Sequence, residues 1–286
     1  MDQRFELVAK IGSMALIRKE DKDIDYNIFA RLGRDLKPGM ILITSGATEI
    51  GRLDYLRRTG RELTGDSEQD KADYAAQGQA IVMELYRRFV SPEYGIRQVL
   101  VEHTHFNDSV KRDHIHRLLL RAASQGTIPI INYNDPVSDE ENRKLELYHR
   151  RLSGESVYEC VDNDETASVI AGLVRTKTLV LMTSTEGIYR DTSDPATLVR
   201  DLTGDTIEEV ERAIRALQDK CIGASRAGAN GARAKLEYAL RSVKNGTTVI
   251  IGHARHHLYD LVEGNAPCTR IGLKASMAEG GNIPCG

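Results

Sequence analysis

The feature that most limits what this chain can fold into is a regular alternation of short, continuously apolar runs with longer amphipathic stretches. The runs are Phe5 to Ile11, Met40 to Thr44, Gln98 to Val101, Ile128 to Ile131, Leu179 to Thr183 and Thr248 to Ile251. Most are rich in Val, Ile and Leu with little alternation, the pattern of strands covered on both faces. Between them apolar residues recur at helical spacing: Ile24, Ile28, Leu32 and Leu36, then residues within 72–90, 108–124, 163–175, 207–219 and 231–243. Strand and helix in turn predict an α/β fold, a three-layer α/β/α sandwich with a largely parallel central sheet.

The expected organisation is a single domain over 1–273, with an N-terminal lobe to about 157 and a C-terminal lobe over about 158–273. Two polar stretches interrupt the pattern. Thr64 to Lys71 carries Asp66, Glu68 and Asp70, and Ser138 to Ser156 carries Asp139, Glu140 and Glu141, which reads as a lid or lobe boundary. Lys274 to Gly286, with Gly280, Gly281 and Pro284, lacks periodicity and is expected to be a flexible tail.

Charge and cysteine usage narrow the function. The 286 residues hold 39 basic against 42 acidic side chains, a net of -3, which argues against a protein that binds nucleic acid by neutralising phosphates. Cys160, Cys221, Cys268 and Cys285 form no C-x-x-C pair, so neither a zinc site nor a disulfide framework is indicated. The start of the chain has no signal-peptide pattern and no window is a membrane span. A cytoplasmic protein without a membrane partner is the expectation.

Polar clusters follow the apolar runs, and ligands of open α/β sheets bind at the carboxyl ends of strands. Lys10, Gly12 and Ser13 close the first run, where a tight turn could present N–H groups to a phosphate; the alternative is a strand-end lysine beside an ordinary turn. No P-loop pattern occurs. Ser45 and Gly46 follow the second run, offering a hydroxyl and close backbone approach. Asn132, Asn134 and Asp135 follow the fourth, and Asn and Asp before Pro136 also suit a plain turn. In Asp162, Asn163, Asp164 and Glu165, a capping box accounts for Asp162 and Glu165 but not for the other two. Together the clusters supply what a small amino-acid acceptor needs: acceptors for an ammonium, donors for a carboxylate and a route for phosphate.

The second half adds a strand, Leu179 to Thr183, running through Ser184 into Gly187 and Tyr189, where a nucleotide base or ribose could rest, although a core tyrosine is the commoner fate. Gly223 to Lys235, including Gly228 and Gly231, is a small-residue loop entering a helix, suited to polyphosphate or to a flexible connector. The histidines lack companions at ligand spacing, so no metal is assigned to them.

The order of these motifs resembles the amino acid kinase family, and within it the glutamate 5-kinases most, from Lys10 to about Gly252. Lys-x-Gly-Ser corresponds to Lys10, Gly12 and Ser13, Thr-Ser-Gly-Ala to residues 44–47, Gly-Gln to Gly78 and Gln79, Pro-Ile-x-Asn-x-Asn-Asp-x-Val to Pro129–Val137, and Asp-Asn-Asp to residues 162–164. The resemblance implies an N-terminal lobe for the acceptor, a C-terminal lobe for ATP, and phosphoryl transfer with Mg²⁺ on the nucleotide oxygens. It gives Lys10 and Lys235 the migrating phosphoryl, Asp164 the orientation of both lysines, and Gly12 and Ser13 the phosphates. Ser45, Gly46, Asn132, Asp135, Asp162 and Asn163 fall to the acceptor, and Thr183, Ser184, Gly187, Tyr189, Gly228 and Gly231 to the nucleotide. Only the kinase part of such proteins is matched, with too few residues after Ile251 for their RNA-binding-like domain.

Departures also appear. The family pattern has Thr-Asp at Thr183-Ser184, Gly-Thr-Gly-Gly-Met at residues 228–232, and Glu at Tyr133, and the segment 138–161 is longer than its counterpart. The implied activity is ATP-dependent phosphorylation of the side-chain carboxylate of glutamate or a related acid, in a homo-oligomer. The alternatives are a non-catalytic nucleotide or amino-acid binder, or a kinase of another acceptor such as a nucleoside monophosphate or carbamate.

Overall fold

The computed structural model describes residues 5–18, 20–154, 157–160, 162–191, 193–220 and 230–279. The strands are β1 (Leu7–Ile11), β2 (Met40–Ile43), β3 (Gly95–Val101), β4 (Thr127–Tyr133), β5 (Thr178–Thr183), β6 (Asp201–Gly204), β7 (Thr248–His253) and β8 (Cys268–Leu273). The helices are α1 (Tyr26–Asp35), α2 (Ala47–Thr59), α3 (Ser67–Phe89), α4 (His103–Asn107), α5 (Ser109–Ser124), α6 (Glu140–Leu152), α7 (Asn163–Val174), α8 (Ile207–Lys220), α9 (Asn230–Lys244), α10 (Leu258–Glu263) and α11 (Lys274–Glu279). The fold is α/β, with largely parallel strands flanked by helices.

Two compact units share the chain. One comprises Gly12–Pro38 and Leu42–Asn163; the other comprises Met1–Ile11, Gly39–Ile41 and Asp164–Gly286. The division differs from a simple cut near residue 157, because β1 pairs in parallel with β5, Lys10 opposite Leu181, and so belongs with the C-terminal elements.

In the first unit β4 lies between β3 and β2, all parallel. The side chains of β2 and β4 are almost wholly buried, as continuous apolarity requires, whereas β3 alternates between buried and partly exposed positions. Helices α2 and α3 touch backbone to backbone. A Cβ on Gly51 would sit 1.8 Å from the Tyr74 carbonyl oxygen, and one on Gly78 would sit 1.9 Å from that of Ala47. That contact is possible only for glycine, and it fixes the helix face that carries Gln79, Val82 and Tyr86 toward the core. The polar stretch 64–71 proves to be the entry to α3: Asp66 caps it by accepting from the N–H groups of Glu68 and Gln69, and Glu68 and Asp70 sit in the first turn, where the helix dipole favours acids.

The second unit orders its strands β1-β5-β7-β8-β6. β8 runs antiparallel to β7 and parallel to β6. Neither β6 nor β8 is legible as an apolar run, since Asp201-Leu202-Thr203-Gly204 is short and polar and Cys268–Leu273 is broken by Thr269, Arg270 and Gly272. Helix α7 is buried from Asp164 through Ala171, an all-round buried helix rather than an amphipathic one. Residues 274–279, expected to be a flexible tail, form α11 instead; 280–286 lie outside the described residues.

Candidate functional site

Helix α7 begins where its buried faces meet the carboxyl end of β1. Asp164, 5% exposed, lies in its first turn, and two ammonium groups close on its carboxylate: Lys10 Nζ at 2.6 Å from Oδ1 and Lys235 Nζ at 2.7 Å from Oδ2. Lys10 arrives on β1; Lys235 comes from the second turn of α9. The register of α9 against α7 has a structural cause, since three successive contacts climb the pair. Lys235 meets Asp164, Arg241 reaches Glu165 at 3.1 Å, and Ser242 Oγ lies 2.9 Å from Ser168 Oγ. Burial pushes the Asp164 carboxyl upward, but the charges of Lys10 and Lys235 outweigh it and hold the group below the ordinary carboxylate range. The trio carries a net positive charge in a nearly dry setting, which suits it to hold an anion.

A second cluster belongs to the other unit. It is a chain of amides whose orientation is set by one backbone group. The Tyr133 N–H donates to Asn132 Oδ1 at 2.9 Å, so the amide facing that oxygen must present nitrogen, and Asn163 Nδ2 does so at 3.0 Å. Asn163 Nδ2 also donates to Ser45 Oγ at 3.0 Å, while Asn132 Nδ2 donates to Gln79 Oε1 at 3.0 Å. Asn163 Oδ1 is buried and has no hydrogen-bond partner among the described residues. An orphan acceptor of this kind costs about 1–3 kcal/mol until a donor reaches it. Asn163 and Asp164 are consecutive, so one helix start carries a member of each cluster.

Ser45 and Gly46 lead from β2 into α2, with Gly46 in the left-handed region at φ 94°, where its α-carbon faces Leu16 and no side chain fits without displacing it. Behind them Tyr86 is wholly buried and shares a 2.8 Å hydrogen bond with Thr44 Oγ1. Asp135 lies in a single 3-10 turn, its carboxyl pushed up to about 6 by burial despite the pull of Arg143. Asp162 is exposed. Gly12 is extended at φ -77° and ψ 151°, a conformation any residue adopts, and Ser13 opens a 3-10 turn.

Of the residues assigned to the nucleotide, Thr183 Oγ1 is engaged with Thr185, donating to its carbonyl at 2.9 Å. Ser184 and Tyr189 are half-buried, and Tyr189 bridges Leu198. The missing side chain of Gly187 is explained by packing, since a Cβ there would approach Thr269 Oγ1 to 2.4 Å. Gly231 lies one turn before Lys235, and Gly228 lies outside the described residues. The histidines do structural work: His103 Nε2 bonds Glu146 at 2.9 Å, His105 Nδ1 accepts from the Glu102 N–H, and His256 meets Glu186 at 2.7 Å.

Gln79 is the site residue that the sequence reading left without a role. Its signal was a polar side chain on the apolar face of a long helix, next to a glycine. Among the described residues no helix is long and apolar enough to cross a membrane.

The chain is similar to known proteins in sequence and in fold. The chain is 29% identical over 282 residues to glutamate 5-kinase of Cupriavidus pinatubonensis, covering 94% of this chain and 68% of that protein. Among solved structures, carbamate kinase from Giardia lamblia bound to AMP-PNP shares the fold with a TM-score of 0.59 at 12% identity, covering 96% of this chain and all of the other. The product complex of T. acidophilum isopentenyl phosphate kinase does so with a TM-score of 0.51 at 13% identity, covering 89% of this chain and 93% of that one. Residues 6–253 match the amino acid kinase family model, and the chain therefore belongs to the amino acid kinase family.

Proposed function

We propose that the protein transfers the terminal phosphoryl group of ATP to a carboxylate of glutamate or a related small amino acid. The observation that carries this reading is the buried Lys10–Asp164–Lys235 trio. A carboxylate acceptor is already ionised at neutral pH, so its attack needs no general base; it needs charge neutralisation, and two ammonium groups held on one carboxylate supply that. In the proposed step an acceptor oxygen bonds to the γ-phosphorus as the bridge to the β-phosphate breaks, leaving ADP and an acyl phosphate. Lys10 and Lys235 stabilise the charge on the transferring oxygens, and Asp164 keeps both ammonium groups from turning away.

The amide chain supports an amino-acid acceptor. Asn163 Oδ1 is an unfilled acceptor suited to an ammonium, and Gln79, anchored through its oxygen, has its Nε2 for a carboxylate. The 29% identity to a glutamate 5-kinase points the same way. Among the described residues no group of three or more His, Cys, Asp or Glu could hold a metal ion; magnesium, where used, would be carried by the nucleotide oxygens. Gly12, Ser13, Thr183, Ser184, Gly187, Tyr189, Gly228 and Gly231 remain the proposed nucleotide residues.

The test is ADP release across a panel of small acids, with wild type, Lys10→Ala and Lys235→Ala. Release with glutamate that falls by about 10²–10³ in each variant is the expected result. A second reading, a non-catalytic binder, draws on Ser184 standing where the family pattern has a carboxylate and on the Thr183 hydroxyl being turned onto Thr185. Tight ATP binding without ADP release from any acid would establish it instead.

A further inference from the structure

Helices α4, α5 and α6 flank a cleft of about 570 Å³ that none of the proposed site residues lines. Every residue lining it is charged, a histidine or a hydroxyl. The volume is that of a small-molecule site, roughly 300–1,000 Å³, but such sites are mostly apolar, so this one calls for a small and highly polar occupant.

Formal charge alone does not choose the sign of that occupant, since Lys111 and Arg150 balance Asp108 and Glu146. The hydrogen bonds do. Both carboxylates are already engaged: Asp108 caps α5, its Oδ1 accepting from the Lys111 N–H at 2.9 Å, and Glu146 Oε2 lies 2.9 Å from Nε2 of the buried His103. The Lys111 ammonium and the His149 ring nitrogens, by contrast, make no hydrogen bond or ion pair among the described residues. Arg150 is anchored at the wall, one guanidinium N–H reaching the Asn107 carbonyl at 3.2 Å. The first turn of α5, a helix of 16 residues, adds the positive end of its dipole. The cleft therefore has donors to give and its acceptors are spent.

One wall, α4, is tied to the acceptor cluster. The Asn134 amide, beside Asp135, donates to Glu102 Oε1 at 2.8 Å at the start of α4, and at its end Asn107 Nδ2 donates to the Tyr158 carbonyl at 2.7 Å while Oδ1 accepts the Tyr158 N–H at 2.8 Å. We propose that the cleft binds a small organic polyanion whose phosphate or carboxylate oxygens take hydrogen bonds from Lys111, His149 and Arg150. A ligand on Arg150 bears on Asn107, and through α4 on Asn134.

Histidine-ring and side-chain amide NMR spectra of the isotopically labelled full chain, titrated at constant ionic strength with citrate and separately with inorganic phosphate, read the site. The His149 ring, assigned by its loss in His149→Gln, is expected to shift saturably, and the Asn134 amide to follow the same curve. The tighter of the two probes identifies the favoured oxyanion. Lys111→Glu, at an exposed position, is expected to weaken binding at least about tenfold with the circular dichroism spectrum unchanged, whereas Lys10→Ala/Lys235→Ala leaves binding as it is. That last comparison separates the cleft from the catalytic trio, so the outcome stands whether or not ADP is released from any acid. Shifts that sodium chloride alone reproduces, a His149 ring that neither probe moves, binding that survives Lys111→Glu, or binding that disappears with Lys10 and Lys235 would each overturn the inference. An Asn134 amide that stays still while the His149 ring moves would overturn the link to the acceptor cluster.

Discussion

Asp164 shows how much one side chain can organise. Two lysines, about 154 and 71 positions away along the chain, have their ammonium groups held by its two oxygens, so a neutral isostere leaves both charges nearly dry and uncompensated. Asp164→Asn is expected to lose about 3 kcal/mol of stability along with activity, read by urea unfolding and ADP release. Its carboxyl is held low in the folded state, so its contribution is present above the ordinary carboxylate range and is lost as pH falls through the depressed folded value. Asp135 has the opposite sign. Burial raises it to about 6, so the folded state binds its proton more tightly than the unfolded one, and stability is lost as pH rises from about 4 through about 6. Asp135→Asn is therefore expected to stabilise the protein at neutral pH and to make no difference below about pH 4, where both states of the wild type are protonated. A variant no more stable than wild type at pH 7 would show that this carboxyl is solvated. Lys10 and Asp164 stood out in the sequence because each stands beside an apolar run, although the lysine also suited a strand end beside an ordinary turn. The orientation of Asn163 was not legible, since it depends on a backbone N–H 30 residues away.

At the scale of elements, the α2–α3 contact is the firmest constraint on the amide cluster. Gly51→Ala and Gly78→Ala each force a methyl into a carbonyl oxygen closer than any real Cβ contact, and the helices must part. Each substitution is expected to cost about 1–3 kcal/mol or more and to weaken acceptor binding by shifting Gln79 off Asn132, so KM for the acid should rise more than kcat falls. An unchanged KM in a destabilised but folded Gly78→Ala would separate the packing from the site. The elements that sequence periodicity announced were those buried on both faces or strongly amphipathic. Those it passed over have reasons of their own. β6 and β8 are polar or interrupted, and α2 has apolar positions thinned by Arg52, Asp54, Arg57 and Arg58, several of which work in surface ion pairs. The charged segment at 138–156 read as a lid, and it holds α6, whose helical character lies in its Asp139 cap and acidic first turn more than in any buried stripe.

For the whole molecule, the α/β class followed directly from the alternation of apolar runs and amphipathic stretches, whereas the assignment of β1 to the C-terminal unit did not, because pairing order is not written in local pattern. A ligand that binds only the folded state raises the melting temperature with its concentration. ATP is expected to do so for wild type and to lose most of that effect in Lys10→Ala/Lys235→Ala, as differential scanning fluorimetry would read; an equal shift in both would place the phosphates elsewhere.

The pairing of β1 also bears on biosynthesis. Phe5 accepts a hydrogen bond from Thr176, 171 residues downstream, and the opening strand gains its β5 neighbour only once that region has been made. At ordinary translation speeds of about 5–20 residues per second, the wait is roughly 10 to 35 s. Throughout it, Leu7–Ile11 is a nascent apolar segment without its mate, the kind of sequence that recruits holdase chaperones or seeds aggregates on the ribosome.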